Sequence, residues 1–184
     1  MHRVSADQLG ASWREGCPVP PEDLRTVRLT YLGLDGRTHR GELVVASAVT
    51  PDVVKIFRTL YHDRYPIERM RTVDHYDADD DLSMADNNTS AFNCRPITGG
   101  TAWSNHSYGR AIDLNPVLNP YISASGTVLP PGGAPYADRT RTDPGLIHAG
   151  DPTVRAFAGH GWDWGGYWTS PIDYQHCEKP AEIR

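Results

Sequence analysis

The sequence has no apolar run long enough to cross a bilayer. Its longest, such as Leu43 to Ala46, falls far short of the roughly 20 residues a spanning helix requires, so no integral membrane segment is expected. Basic runs are missing too. With 18 basic against 23 acidic side chains and a net charge of -5, nothing resembles a stripe that tracks a phosphate backbone, and nucleic acid is not expected as a partner. Cysteine is scarce. The three residues Cys17, Cys94 and Cys177 make neither a disulfide framework nor a pair of Cys-x-x-Cys zinc clips. A bridge between Cys17 and Cys94 would close a long loop and add roughly 4 kcal/mol, but spacing alone leaves bridged and free thiols equally open. No internal repeat or heptad occurs. The start, Met1-His2-Arg3-Val4-Ser5-Ala6-Asp7, lacks the charged-then-apolar pattern of a secretory leader, which suits an intracellular protein or a mature form whose leader has been removed.

What is present fits one domain. A chain of 184 residues, 39% hydrophobic and 22% charged, can bury roughly two-thirds of its extended surface. Val27 to Leu32 reads as a strand, Leu34-Asp35-Gly36-Arg37 as a hairpin turn, and Gly41 to Ser47 as the returning strand. Thr50-Pro51-Asp52 reads as an N-cap, a first-turn proline and a dipole-matched acid. It opens a helix that turns Val53, Phe57, Leu60 and Tyr61 inward and ends before Pro66. Asp151-Pro152 repeats that logic for a second helix, with Val154, Phe157 and Ala158 inward and a stop at Gly161. Between them, residues 115 to 151 are rich in proline and glycine, the composition of a long loop that is either functional or disordered. The acidic cluster Asp77 to Asp81 lacks the spacing of a calcium loop and reads as a solvated turn.

Chemistry concentrates at two of the eight histidines. His106 precedes Asp113, with Gly109 between them as a point of tight reversal, so both side chains can aim at one place. Asp173 precedes His176 after the turn Trp164-Gly165-Gly166-Tyr167-Trp168. Neighbours at that spacing face opposite sides of a regular strand, so Asp173 is expected on a bend. His106, Asp113 and His176 would give zinc three ligands and leave one position for water, the pattern of catalytic rather than structural sites. Zinc lowers the pKa of its water, and Asp173 would serve as the general base. Any single His-Asp pair in a chain with eight histidines is more often a surface hydrogen bond or a satisfied core group than a metal site.

The combination Ser-x-His-x-x-Gly-x-Ala-x-Asp, then Gly161-Trp162-Asp163-Trp164-Gly165-Gly166, then Asp-x-x-His resembles one family. It is similar to the zinc D-alanyl-D-alanine carboxypeptidases and L-alanyl-D-glutamate endopeptidases of bacterial cell-wall turnover. The resemblance runs from about Gly41 to Glu178. It implies one Zn2+ per chain on His106, Asp113 and His176, Asp173 as the catalytic base, and peptidoglycan stem peptides as partners. Arg95 falls where the family has an arginine that steadies the substrate carbonyl or carboxylate, and Ser104 on its substrate-binding serine. The implied fold is α+β and Hedgehog/DD-peptidase-like, a single domain whose antiparallel sheet carries the zinc ligands with helices on one face. Residues 1–40 would be an N-terminal extension with the first strand of the hairpin, and 41–184 the catalytic domain. An extracellular or cell-wall-associated location follows, with the cytoplasm left open. Cys177 stands where relatives place Phe, which could alter packing behind His176 and set an oxidisable thiol beside the metal.

Two other functional readings remain at the level of sequence. One is a non-catalytic, zinc-stabilised domain of the same fold that binds wall peptides without cutting them; Asp173 speaks for the enzyme, since a binding module needs no base. The other makes Cys94 or Cys177 a nucleophile, although Cys177 adjoins His176 and would point the opposite way. The tryptophans 162, 164 and 168 read as core and turn residues in preference to a sugar-stacking platform. His148 and His160 read as capping or surface residues. Tyr108 suits either the cleft or packing beneath Gly109.

Overall fold

The computed structural model describes residues 1–97 and 100–180. β1 (His2–Arg3) and α1 (Ala6–Leu9) lead into β2 (Leu24–Gly33), which pairs antiparallel with β3 (Thr38–Ala46). The Asp-Gly turn closes as its residues allow: Gly36 takes a φ of 74°, and Asp35 Oδ1 accepts from the Arg37 amide at 2.9 Å. β2 runs beyond Val27–Leu32 at both ends and β3 begins at Thr38, before Gly41, because the two strands pair all the way from Leu24 opposite Ala46 to Leu32 opposite Thr38.

α2 (Thr50–His62) follows β3 through a 3-10 turn at Ser47–Val49. That turn corrects the expected cap. It brings the chain into helical geometry early, so Thr50 is already inside the helix and its hydroxyl donates to the Ala46 carbonyl at 3.0 Å. The buried face is Val53, Ile56, Phe57 and Leu60, while Tyr61 sits at its margin, half-buried, with its hydroxyl against Thr38. β4 (Pro66–Ile67) joins the far end of β2 in parallel, and β5 (Arg69–Met70) pairs with a later segment, below.

The acidic cluster is a helix start rather than a free turn. Asp79 Oδ1 accepts from the Leu82 amide at 3.0 Å and caps α3 (Asp80–Ala85), after which β6 (Asn88–Thr89) pairs with β5.

The second half of the chain has short elements only: β7 (Ala111–Asp113), β8 (Tyr121–Ile122), β9 (Val128–Leu129), α4 (Pro152–Ala158), β10 (Asp163–Trp164), β11 (Ile172–Asp173) and β12 (His176–Glu178). β12 lies between β10 and β7 in one antiparallel sheet, and β8 lies between β11 and β9 in another. In α4 the buried residues are Thr153, Val154 and Phe157, and Ala158 is exposed, contrary to the expected inward face. The helix ends there, short of Gly161. Asp151 does not cap it, because its carboxylate accepts from the His148 amide at 2.8 Å. The proline- and glycine-rich stretch is folded over buried Asn119, which donates to Gly145 O at 2.9 Å and accepts from Ile147 N at 2.8 Å.

One core joins the halves. Val27, Leu29, Leu43 and Val45 of the hairpin and Ile56, Phe57 and Leu60 of α2 share a buried cluster with Ile112, Leu114, Phe157, Trp164 and Cys177. The molecule is thus a mixed α+β body in which the sheet holding β7 and β12 is backed by the same apolar layer as the hairpin.

Candidate metal centre

The site is assembled from a turn and two paired strands. Asn105–Tyr108 forms a 3-10 turn whose first amides are satisfied by Ser104, its Oγ accepting from His106 N at 3.3 Å. Gly109 ends the turn with a φ of 64°, and a Cβ there would lie 2.5 Å from the Ala46 nitrogen, so only glycine lets the turn rest on the end of β3. The Gly109 carbonyl accepts from Ala46 N at 2.9 Å. Seated in this way, His106 points into the molecule. β7 and β12 then pair with His176 opposite Asp113, and directly opposed residues share a sheet face. The sheet therefore carries two members of the group, and the turn carries the third.

The three side chains meet. His106 Nε2 lies 3.1 Å from Asp113 Oδ2 and 3.2 Å from His176 Nδ1, and His176 Nδ1 lies 3.0 Å from Asp113 Oδ1. All three residues are buried. The outer nitrogen of each imidazole is engaged: His106 Nδ1 donates to Ala91 O at 2.5 Å, and His176 Nε2 donates to Glu178 Oε2 at 3.0 Å. Those bonds turn the inner lone pairs toward each other and toward a carboxylate. Ligand atoms around a tetrahedral ion at roughly 2.0–2.1 Å stand about 3.3 Å apart, close to the observed spacing, so this donor set fits a divalent cation.

The electrostatics of the protein without metal point the same way. Burial disfavours the Asp113 carboxylate, yet the two imidazoles hold its pKa well below the usual range. At His176 burial opposes the charged ring, and its hydrogen bonds to Asp113 and Glu178 outweigh it, lifting the pKa to about 10. Protons occupy the place of a cation.

Asp173 enters the same cavity from a different sheet. It ends β11 opposite Tyr121, so it stands on a short strand of its own and not on the bend expected before His176; the bend is at Tyr174–Gln175. Burial pushes its pKa up to about 7, the His176 charge working against that rise, and its Oδ1 is buried with no hydrogen-bond partner among the described residues. Arg95 also lines the cavity, of about 380 Å³, with Nη2 2.8 Å from Asp80 Oδ2.

Two neighbours, Glu178 and Asp80, carry no role in the sequence analysis, and a third, Trp168, is read there as core and turn. Glu178 orients His176 and itself accepts from Asn105 Nδ2 at 2.6 Å; its place two residues along the same strand, hence on the same face, was the available signal. Asp80 turns out of the supposedly solvated cluster to hold Arg95. Trp168 is half-buried in the cavity wall with its ring centroid 5.4 Å from that of His176, whereas Trp162 and Trp164 are core residues as expected. Tyr108 is 36% exposed. His148 bonds Arg141 O and Asp151, and His160 faces Asp52 at 3.6 Å, both away from the centre.

A family model described as D-alanyl-D-alanine carboxypeptidase matches residues 98–179. That segment is a D-alanyl-D-alanine carboxypeptidase family domain. It contains His106, Asp113, Asp173 and His176, while Arg95 lies just before it. No curated protein and no solved structure matches the chain. Within this carboxypeptidase-family domain Cys177 packs on the core side of β12, buried, with burial raising its thiol pKa far above the ordinary value. It is therefore not beside the metal position. Cys94 is bridged to Cys17, their Cα atoms 6.0 Å apart, so neither cysteine is placed as a nucleophile.

Proposed function

We propose that the chain is a zinc-dependent peptidase that hydrolyses peptide bonds next to D-amino acids in bacterial peptidoglycan stem peptides, as a D-Ala-D-Ala carboxypeptidase or an L-Ala-D-Glu endopeptidase. The observation that carries this reading is Asp173, whose Oδ1 is buried with no hydrogen-bond partner among the described residues, in one cavity with the His106, Asp113 and His176 group. A non-catalytic binding domain has no use for such a base.

One Zn2+ held by His106, Asp113 and His176 supplies electrophilic activation of the scissile carbonyl and makes water easier to ionise. The remaining work falls to the chain's own side chains. Asp173, with a pKa near 7, takes a proton at a carboxylate oxygen as water adds, and returns it to the leaving amine. Arg95 pairs with a substrate carboxylate or carbonyl oxygen, exchanging or sharing its bond to Asp80. Ser104 uses its oxygen as acceptor for the His106 amide and keeps its hydroxyl proton to donate to substrate. Trp168 excludes water beside His176. In this scheme 41–184 is the catalytic domain, and 1–40 adds an extension and the hairpin's first strand.

The Cys17–Cys94 bridge supports an extracellular or cell-wall location, since such bonds persist where the surroundings oxidise. Among the described residues no helix is long and apolar enough to cross a membrane.

The test is paired digestion of a stem peptide and its all-L isomer, followed by mass spectrometry, with and without a chelator. Cutting should be confined to the D-containing peptide and stop with the chelator. Swapping the configuration beside the scissile bond displaces the carbonyl from the near-attack position. Equal, chelator-sensitive cutting of the all-L peptide would keep the metal mechanism and remove the wall substrate.

A further inference from the structure

The outer face of the hairpin carries a second cavity, of about 640 Å³, that shares no lining residue with the metal cleft. Its origin is the strand alternation. In β2, Val27, Leu29 and Tyr31 are buried, which leaves Arg28 and Thr30 outward. The register sets them against Glu42 and Arg40 of β3. The segment from Met70 to His75 forms the opposite wall. It comes close because β3 has Gly41 at the crossing, where a Cβ would lie 2.5 Å from that of Met70. Folding thus gathers Arg28, Arg40 and Arg71 from three separate places in a chain of net charge -5.

These guanidinium groups are not used up by the protein. Arg28 Nε is paired with Glu42 Oε1 at 2.6 Å, but the Arg40 and Arg71 side chains have no carboxylate or other acceptor among the described residues. Like charges lining one groove repel one another, and an anion bound there offsets that cost. The planar fork of arginine matches the paired oxygens of phosphate and carboxylate groups. None of the ten lining residues is Phe, Tyr or Trp, so sugar rings find no large aromatic platform, and His75 is the one ring among them. A lone phosphate would leave most of the cavity empty, which favours a ligand that repeats its charge along a chain.

We propose that this groove is a second binding site, for a linear polymer bearing repeated phosphate or carboxylate groups. The proposal is independent of the peptidase reading. Such a ligand would hold the protein on an anionic matrix while the metal cleft stays open.

The experiment titrates the intact chain with inorganic polyphosphate and, separately, with polyglutamate, by isothermal calorimetry at low and at moderate salt. At least one probe should bind saturably, more weakly as salt rises. The Arg40→Ala/Arg71→Ala variant should lose at least about tenfold in affinity, with its far-UV circular dichroism unchanged because both side chains are exposed. Arg58→Ala, on the exposed face of α2, removes the same charge elsewhere and should change affinity less than about twofold. Binding of one probe alone identifies phosphate or carboxylate as the natural group, and binding of both means charge spacing suffices. Failure of both probes to saturate would overturn the site, as would equal losses in the groove and control variants.

Discussion

The two sides of the shared core are built by different means. On the hairpin side, strands of ten and nine residues and a helix of thirteen bring large apolar side chains together, and Val53, Ile56, Phe57 and Leu60 are almost wholly buried. On the metal side the strands are two or three residues long. Position there depends on bonds between side chains and backbone, such as Ser107 Oγ to Arg95 O at 2.7 Å and Asn105 to Glu178, and on buried charged groups. Apolar burial is non-directional and forgives small displacements, whereas a set of ligands must be placed to a fraction of an ångström. The molecule separates the tasks: one side supplies stability, and the other spends it on geometry.

The sharpest way to break that division is at Asp173, whose buried Oδ1 has no hydrogen-bond partner among the described residues. Asp173→Ala should lower turnover of a stem peptide by roughly two to four orders of magnitude, as loss of a general base does, while zinc content by elemental analysis stays near one per chain. Near-normal turnover in a zinc-loaded variant would remove Asp173 from the mechanism. On the other side, Phe57→Ala should cost about 3 to 5 kcal/mol in denaturant unfolding, through lost burial and a residual cavity. In the absence of denaturant it should keep its metal. If that substitution strips the metal instead, the two sides act as one unit and the comparison fails.

Much of the hairpin side is legible in the sequence because its signals are local. Asp35-Gly36 fixes a turn, alternation fixes which residues of β2 face inward, and helical spacing fixes three of the four main buried positions of α2. Thr50 misleads because the 3-10 turn before it, a product of how β3 ends, moves the helix start. The three metal-group residues are legible only as a combined motif, and no periodicity reveals them. Asp80, Trp168 and the arginine groove are invisible for a further reason: each takes its meaning from a partner far away in the chain. Glu178 alone could have been found locally, by its place on the face of a ligand strand.

Glu178 offers a smaller test on the metal side. Glu178→Gln keeps the shape but removes the negative charge that accepts from His176 Nε2. Zinc affinity, measured by competition with a chelating dye, should drop about 10- to 100-fold, as for other groups that orient a ligand. Phe57→Ala should leave that affinity unchanged. An unaltered affinity in the Glu178 variant would mean that β7 and β12 alone hold the imidazole.

The smallest expected effect is graded with pH and separates the two sides without any mutation. Burial disfavours a protonated His176, but Asp113 and Glu178 hold the proton so well that the metal-free pKa rises to about 10 from an ordinary 6.5. A group whose pKa is raised on folding stabilises the folded chain fully below 6.5, and that contribution is lost as pH rises through 10. A metal ion must displace this proton from Nδ1, so its apparent affinity should climb with pH between 6 and 8, by up to about tenfold per unit. Two trends then diverge. The metal-free protein loses stability over this range while the metal gains affinity, so the rise in melting temperature on adding zinc should be larger at pH 8 than at pH 6. The buried face of α2 (Val53, Ile56, Phe57 and Leu60) carries no ionisable group, and protection of its amides from hydrogen exchange should follow global stability alone. A zinc-induced shift that is the same at both pH values would mean that no proton leaves on binding, and that His176 is held neutral before the metal arrives.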